Sequence, residues 1–527
     1  MSQPVAANYI TARENSLKIL HTQADNPVAT RVPKQNALRN GVQWLVMLAI
    51  FAIFLHFWVI EACVVTSGSM APSLLGQHRQ VTCSDCGLPF DVGSQADSEP
   101  LWTEARAICP NCGSADNLLA ALPDTPGDGL LVFRGAFNWR APRRWEPVVF
   151  RGAVDRREPV VKRVVGLPGE TIQLSGGNVI VDGQIARKPL AVQRAMSILV
   201  NDDRYRPSVA QQSGGALKGT LQSSESSASC WRPRDEHPSG WELQPGEFRY
   251  RSPTNTEATS PRAIDWIDFH PRQRRNASQE PAAQTKSPDA TSAGIDDHYA
   301  YNQSRPILEL RPVSELLLRC ELKIVGDHGN VWFRANDGNH IYEVSFSMHK
   351  RPAIFSVDGT EVFRERLPWS VGRDWARCEI STIDRQFLCA FDGELLFPPF
   401  ELPENLPINS AAAPQRSTEG CFSIGAAGAT FDVRTAQVFR DIYYTRLPEG
   451  FAERTPKADR WRVGEDALFV LGDNSPFSQD SRVTAEPGVP ISQLIGRPLV
   501  VHAPRRAFIW RGRQWILLDL SHIRGVR

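Results

Sequence analysis

From Gly41 to Ile60 the chain reads GVQWLVMLAIFAIFLHFWVI, a run with no Lys, Arg, Asp or Glu. About 20 apolar residues in a helix span a hydrocarbon core of about 30 Å, so this run predicts a transmembrane anchor, with bounds 41–63. Trp44 and Trp58 stand near its ends, where amphipathic rings prefer the interface. Lys18, Arg31, Lys34 and Arg39 precede it in a polar leader, residues 1–40, expected to be disordered. Positive charge stays inside, so the leader is expected in the cytoplasm and the rest of the chain outside, as a single-pass protein of the inner (cytoplasmic) membrane. A cleaved secretory signal is the bland alternative, but the run and its leader are too long. A lipoprotein box at Cys63 is disfavoured by Glu61 and the same leader.

Beyond the anchor the period changes to two. GLLVF (129–133), EPVVFR (146–151), EPVVKRVVGLPGETIQL (158–174) and NVIVDGQIARKPL (178–190) read as strands. Residues 201–305 are rich in Ser, Pro, Gln, Thr and Asn and predict a low-complexity linker, because little apolar surface is available to offset ordering entropy. Trp231, Trp241 and Trp266 mark short pieces within it expected to dock. Short apolar strands return over 306–446. Asp-Gly pairs at 182–183, 358–359 and 392–393 sit between them as hairpin signals. The second block reads as an inserted β-sandwich. The fold class expected is therefore mainly β. One body spans 64–200 and 455–505, interrupted by insertions at 83–112 and 201–446, with a C-terminal tail over 506–527.

At 527 residues the chain is long enough for several domains. Its net charge of +1, with Lys and Arg dispersed, gives no basic stripe, so nucleic acid is set aside as a partner. Cys83, Cys86, Cys109 and Cys112 form two C-x₂-C knuckles, each followed by Gly. That spacing favours a structural zinc ribbon; two disulfides are the alternative outside the cytoplasm. Cys320, Cys378, Cys389 and Cys421 are left open as a disulfide or as buried thiols.

The chemistry centres on VVTSGSMAPSLLG, where the chain leaves the apolar run. Ser67, Ser69 and Ser73 are candidate nucleophiles, although such a stretch is more often a turn. No G-x-S-x-G elbow or Ser-His-Asp context is present. In PVVKRVVG, Val160, Lys162 and Val164 share one face and Val161, Arg163 and Val165 the other. A lysine pressed against an apolar wall loses its preference for charge and becomes a general base. The alternative is an edge strand with solvated charge. A Ser-Lys pair is the economical pairing.

SGSMAPSLLG, KRVVGLPGE and LGDNSPFSQDSR, in that order after an anchor, resemble three boxes of type I signal peptidases. GDGLLVF, RRWEPVVF and VPISQLIGR resemble the intervening and closing segments. The resemblance covers about half of the chain, in two pieces. It implies a Ser-Lys serine endopeptidase, needing no cofactor for catalysis, that removes signal peptides from secretory preproteins at the membrane. Residue by residue it implies Ser69 as nucleophile, Lys162 as general base, and Ser67 with the Ser69 N–H as oxyanion hole. Ser478 would orient the lysine, and Asp480 and Arg482 would support the site. Glu170, Arg144-Trp145-Glu146 and Pro72-Ser73-Leu74 depart from the usual pattern without removing a catalytic group. The second insertion resembles concanavalin-like (laminin-G-type) sandwiches, which leaves a glycan or protein ligand open. Other readings are a self-cleaving Ser-Lys protease of the SOS-repressor type, disfavoured by the anchor, and a membrane-anchored binding protein with an inert peptidase body. Intact Ser69, Lys162 and Ser478 count against the last.

Overall fold

The computed structural model describes residues 35–526, apart from 55–58, 95–105, 153–157, 208–228, 236–238, 253–263, 273–293, 304–309, 350–351, 368–373, 403–419, 448–459, 485–486 and 511–512. It divides into two units, 1–59 and 60–527.

In the first unit, helix α1 runs Gln35–Phe54. Val42, Trp44, Leu45, Met47, Leu48, Ile50 and Phe51 along it are exposed. Among the described residues no helix is long and apolar enough to cross a membrane. The expected span 41–63 thus differs from the structure at its end. Residues 55–58 lie outside the described residues, and Ile60–Val64 is a strand. Its backbone groups pair with a neighbouring strand in register from Ile60↔Phe133 to Val64↔Gly129. The expected leader lies outside the described residues up to 34.

The second unit is mainly β. Its first sheet holds β1 (Ile60–Val64), β2 (Gly129–Phe133), β3 (Pro147–Arg151), β4 (Pro159–Gly166), β5 (Ala467–Leu471), β6 (Val489–Pro490), β7 (Leu494–Trp510) and β8 (Arg513–Gly525). The order is β1-β2-β7-β3-β4-β5-β6, with β8 on β7. The stretch 506–527, expected as a tail, is therefore largely the end of β7 and its partner β8. A smaller sheet joins Thr171–Ser175, Asn178–Val181 and Gln184–Ile185 to Trp461–Arg462 from the far end of the chain. Both pieces of the body, separated by the insertion, are thus woven together.

The insertion has two sheets of nine and seven strands around one apolar core, in which Phe333, Phe346, Tyr342, Phe355 and Val438 are almost fully buried. Alternation is plain in Asn330–Asn336 and Ile341–Ser347, whose inward residues are buried and outward residues partly exposed. The three Asp-Gly hairpins form as the sequence indicates. Asp182, Asp358 and Asp392 have φ of 49°, and the glycines that follow have φ of 87°, 79° and 97°, the double positive φ of a type I′ turn.

The expected linker, however, contributes strands. Ile198–Asp202, Trp231–Pro233, Trp241–Gln244, Glu247–Arg251 and Asp265–Phe269 all pair into the two sheets. The insertion therefore starts near 198 rather than 306. The physical reason is tryptophan: Trp231 and Trp241 are buried in the core against Phe248, Phe269, Tyr250 and Phe431. Such rings bury enough apolar area to order short strands between polar stretches. The Ser-rich segments 208–228 and 273–293 lie outside the described residues.

Candidate functional site

The turn after β1 carries the serines. Gly68–Met70 is one turn of 3₁₀ helix, with Ser69 and Met70 buried and Ser67 exposed. Met70, Leu74 and Val65 pack beneath it against Leu130, Val132, Val149 and Val161 of the sheet. Each fully buried side chain of this kind contributes roughly 1.5–3 kcal/mol, so the turn rests on a firm floor.

Across from it lies β4. Lys162, only 2 % exposed, pairs with Val148 of β3. Val148, Val160, Val164 and Val470 share one apolar cluster around it. Lys162 Nζ is hydrogen-bonded to Ser69 Oγ, and Ser67 Oγ lies 3.1 Å from Ser69 Oγ. Burial pushes the Lys162 pKa down to about 8; Asp480 pulls it up, Arg482 down and Asp473 up. The uncharged, proton-accepting form is therefore far more accessible than for a solvated lysine, and becomes the major form above that value.

Arg163, the next residue, is equally buried but fully paired. Its Nε and Nη2 donate to Asp473 at 2.8 and 2.6 Å and its Nη1 to the Trp145 carbonyl at 2.7 Å. The two basic residues of PVVKRVVG thus have opposite fates, set by which face of the strand each occupies.

The third element is the loop after β5. Asp480 and Arg482 are buried and paired, Nε to Oδ1 at 2.8 Å and Nη2 to Oδ2 at 2.7 Å. Asp480 also accepts from the Gly472 N–H at 3.1 Å. Burial raises its pKa and Arg482 outweighs that, holding it below the usual carboxylate range. Arg482 ties the loop to the carbonyls of Thr445 and Ser475 at 2.6 and 2.8 Å. Ser478 is fully buried beside Gly472. Lys162 Nζ bonds Ser69, and among the described residues the lysine-orienting bond expected from Ser478 Oγ is not formed. A Cβ on Gly472 would lie 2.2 Å from Ser478 Oγ and 2.3 Å from the Ser69 carbonyl oxygen, so only glycine lets the serine turn and the loop after β5 close together.

Asn474 was not singled out by sequence reasoning, though it lies in LGDNSPFSQDSR. Its backbone N–H donates to the Ser69 carbonyl at 3.1 Å and its Nδ2 to the Gly68 carbonyl at 2.9 Å. It clasps the serine turn from behind. A short polar side chain in a motif is an ambiguous signal, since turns use Asn for its own backbone as often.

The four cysteines converge. Cys83, Cys86, Cys109 and Cys112 offer sulfurs within 4.8 Å of one another, with Cys83–Cys112 at 3.6 Å and Cys86–Cys109 at 3.7 Å. A tetrahedron with Zn–S of about 2.3 Å has an edge of about 3.8 Å, so the donor set fits zinc. The two knuckles are alike: Cys83 N–H donates to Leu88 O and Gly87 N–H to Cys83 O, matched by Cys109 to Ser114 and Gly113 to Cys109. All four are free thiols, as are Cys320, Cys378, Cys389 and Cys421.

Residues 38–222 match the family model described as signal peptidase, peptidase S26. A stretch of 64 residues is 39% identical to signal peptidase I of Leptolyngbya laminosa, covering 11% of this chain and 32% of that protein. Another of 159 residues is 21% identical to signal peptidase I of Rickettsia bellii (strain OSU 85-389), covering 30% of this chain and 45% of that protein. The chain thus spans between a third and a half of the length of these relatives. The segment that matches the family model contains Ser69, Lys162 and all four knuckle cysteines. The structure of carbohydrate binding module CBM66 from Bacillus subtilis overlaps 40% of this chain and 95% of its own, at 10% identity and a TM-score of 0.24. A likeness of that degree carries no weight for a ligand.

Proposed function

We propose that this protein is a membrane-anchored serine endopeptidase that removes signal peptides from secretory preproteins through a Ser69–Lys162 dyad. The observation that carries the reading is a buried lysine on a valine wall, hydrogen-bonded to the oxygen of a buried serine. Burying an ammonium is costly; the cost is sensible where the amine works uncharged.

In the reaction, Ser69 Oγ attacks the scissile carbonyl carbon while Lys162 Nζ takes the hydroxyl proton. The Ser67 hydroxyl and the Ser69 N–H donate to the oxyanion. The tetrahedral species collapses and the C–N bond breaks. The Lys162 ammonium passes its proton to the leaving amine, and an acyl ester remains on Ser69. Water, deprotonated by Lys162, attacks the ester and releases the second product. Asp480 and Arg482 hold the loop that closes over the lysine, with Ser478 beside Gly472 completing its surroundings.

Membrane lipid is the second partner. The exposed apolar side chains of α1 support an anchor, and substrate would be met at the outer surface. Cys83, Cys86, Cys109 and Cys112 would hold a structural zinc ion that ties two knuckles together and takes no part in catalysis.

Detergent-solubilised protein is expected to cut a preprotein at its signal-peptide boundary, and Ser69→Ala and Lys162→Met are each expected to abolish cutting. Full activity in either variant would sink the mechanism.

A further inference from the structure

Between the two sheets of the insertion and the serine turn lies a five-residue segment, Tyr299–Gln303. We infer that this segment is a strap that positions the nucleophile turn, with Asn302 acting as its positioning residue through Asn474; the inference rests on Ser69 being the nucleophile proposed above.

Asn302, 4 % exposed, forms a reciprocal amide pair with Asn474. Asn302 Nδ2 donates to Asn474 Oδ1 at 2.7 Å, and Asn474 Nδ2 donates back to Asn302 Oδ1 at 2.7 Å. The second proton of Asn474 Nδ2 goes to the Gly68 carbonyl. An amide has two donors and one acceptor oxygen. If the Asn474 amide flipped, its oxygen would face both the Gly68 carbonyl and Asn302 Oδ1. Asn302 therefore fixes the orientation in which Asn474 grips the turn, one residue from the reacting hydroxyl.

The rest of the strap points the same way. The Tyr301 ring covers Gly68 so closely that a Cβ there would lie 2.2 Å from it, and the Tyr301 hydroxyl donates to Gln77 O at 2.9 Å. The Tyr299 hydroxyl donates to Asp473 O at 3.0 Å. Gln303 pairs with the backbone of Ile108 in the cysteine knuckle region, donating from Nε2 to its carbonyl at 2.7 Å and accepting from its N–H. On the other side Arg440, at the end of the long insertion strand Thr430–Arg440, donates to His298 O at 2.6 Å and stacks 4.8 Å from the Tyr299 ring centre. One short segment thus links the two-sheet insertion, the four-cysteine module, the loop after β5 and the serine turn. None of the five strap residues belongs to the insertion's own core.

The test uses full-length protein carrying Asn302→Leu, Asn302→Asp, Asn474→Leu, and Asn302→Leu combined with Asn474→Leu. Two readouts are taken: cleavage of a synthetic preprotein in detergent, and hydrogen exchange at the Ala71 and Asn474 amides, which donate to Gly68 O and Ser69 O. Asn302→Leu is expected to lower kcat about 10- to 100-fold with KM within about twofold, since a misplaced reacting group is costly while substrate contacts are intact. Asn302→Asp, which keeps the acceptor and loses the donor, should fall between it and wild type. The double variant should be no worse than the poorer single one, because both act through one contact. Exchange at the two amides should accelerate, while that of Val344 in the insertion core stays unchanged and so marks a folded chain. Additive losses in the double variant, or unchanged kcat and exchange in Asn302→Leu, would overturn the strap. Absence of any cleavage by wild type overturns the peptidase reading instead, and the exchange data then decide the strap alone.

Discussion

A single methyl group tests the closeness of the site. Gly472→Ala places a carbon against Ser478 and the Ser69 carbonyl together. Activity is expected to fall about 100-fold, and stability by about 1–3 kcal/mol, measured by steady-state assay and by denaturant titration. The state of Lys162 is tested by pH. Its neutral form is the base, so kcat/KM should rise as pH increases and level off above an apparent pKa of about 8. A profile that instead falls through that range would exclude the amine as base. At this scale the contact between Ser69 and Lys162 was anticipated only by three sequence boxes taken in order; singly, a serine-rich stretch is more often a turn and a strand lysine is often solvated. Asn474 was half legible, sitting in a recognisable segment with no stated role. Asn302 was illegible: it sits in a segment read as a linker, and its meaning comes only from a partner 172 positions away.

Elements carry a second kind of constraint. Lys188, between the body and the insertion, is 2 % exposed and sits among Asp384 and Asp441, with Asp441 Oδ2 at 3.0 Å and the Trp145 ring centre at 4.8 Å. Burial alone would lower its pKa, but the two carboxylates outweigh it. Lys188→Met strands those carboxylates, and stability is expected to drop by about 3–5 kcal/mol in chemical denaturation. The cysteine module makes a separate forecast. Purified protein should carry about one zinc ion per chain by elemental analysis. Chelation should lower the thermal midpoint and expose the four thiols to alkylation; a metal-free protein with full stability would refute the zinc. Knuckles and Asp-Gly hairpins were readable because each depends on local spacing. The strands between 198 and 270 were not, because they pair with strands far along the chain, Glu247–Arg251 with Thr430–Arg440 and Asp265–Phe269 with Phe422–Ala427, and Trp241 packs on Phe431.

For the whole molecule, the insertion belongs to the body's own packing. Tyr299, Ile442 and Tyr444 share one core with Trp145, Ile172, Trp461 and Phe469. Excising 200–450 and joining the ends is therefore expected to abolish cleavage rather than merely narrow the range of substrates, as judged on several preproteins. Arg163 and Asp473 are 310 positions apart in sequence, yet their pair is part of the same small site. Chains are synthesised at about 5–20 residues per second, so roughly 15–60 s separate the emergence of one partner from that of the other. Throughout that interval Ser69 and Lys162 exist without Gly472, Asn474 and Asp480. On the proposed reading a nascent copy consequently holds the dyad without its clasp, and the order of biosynthesis itself withholds activity until the loop after β5 has been made.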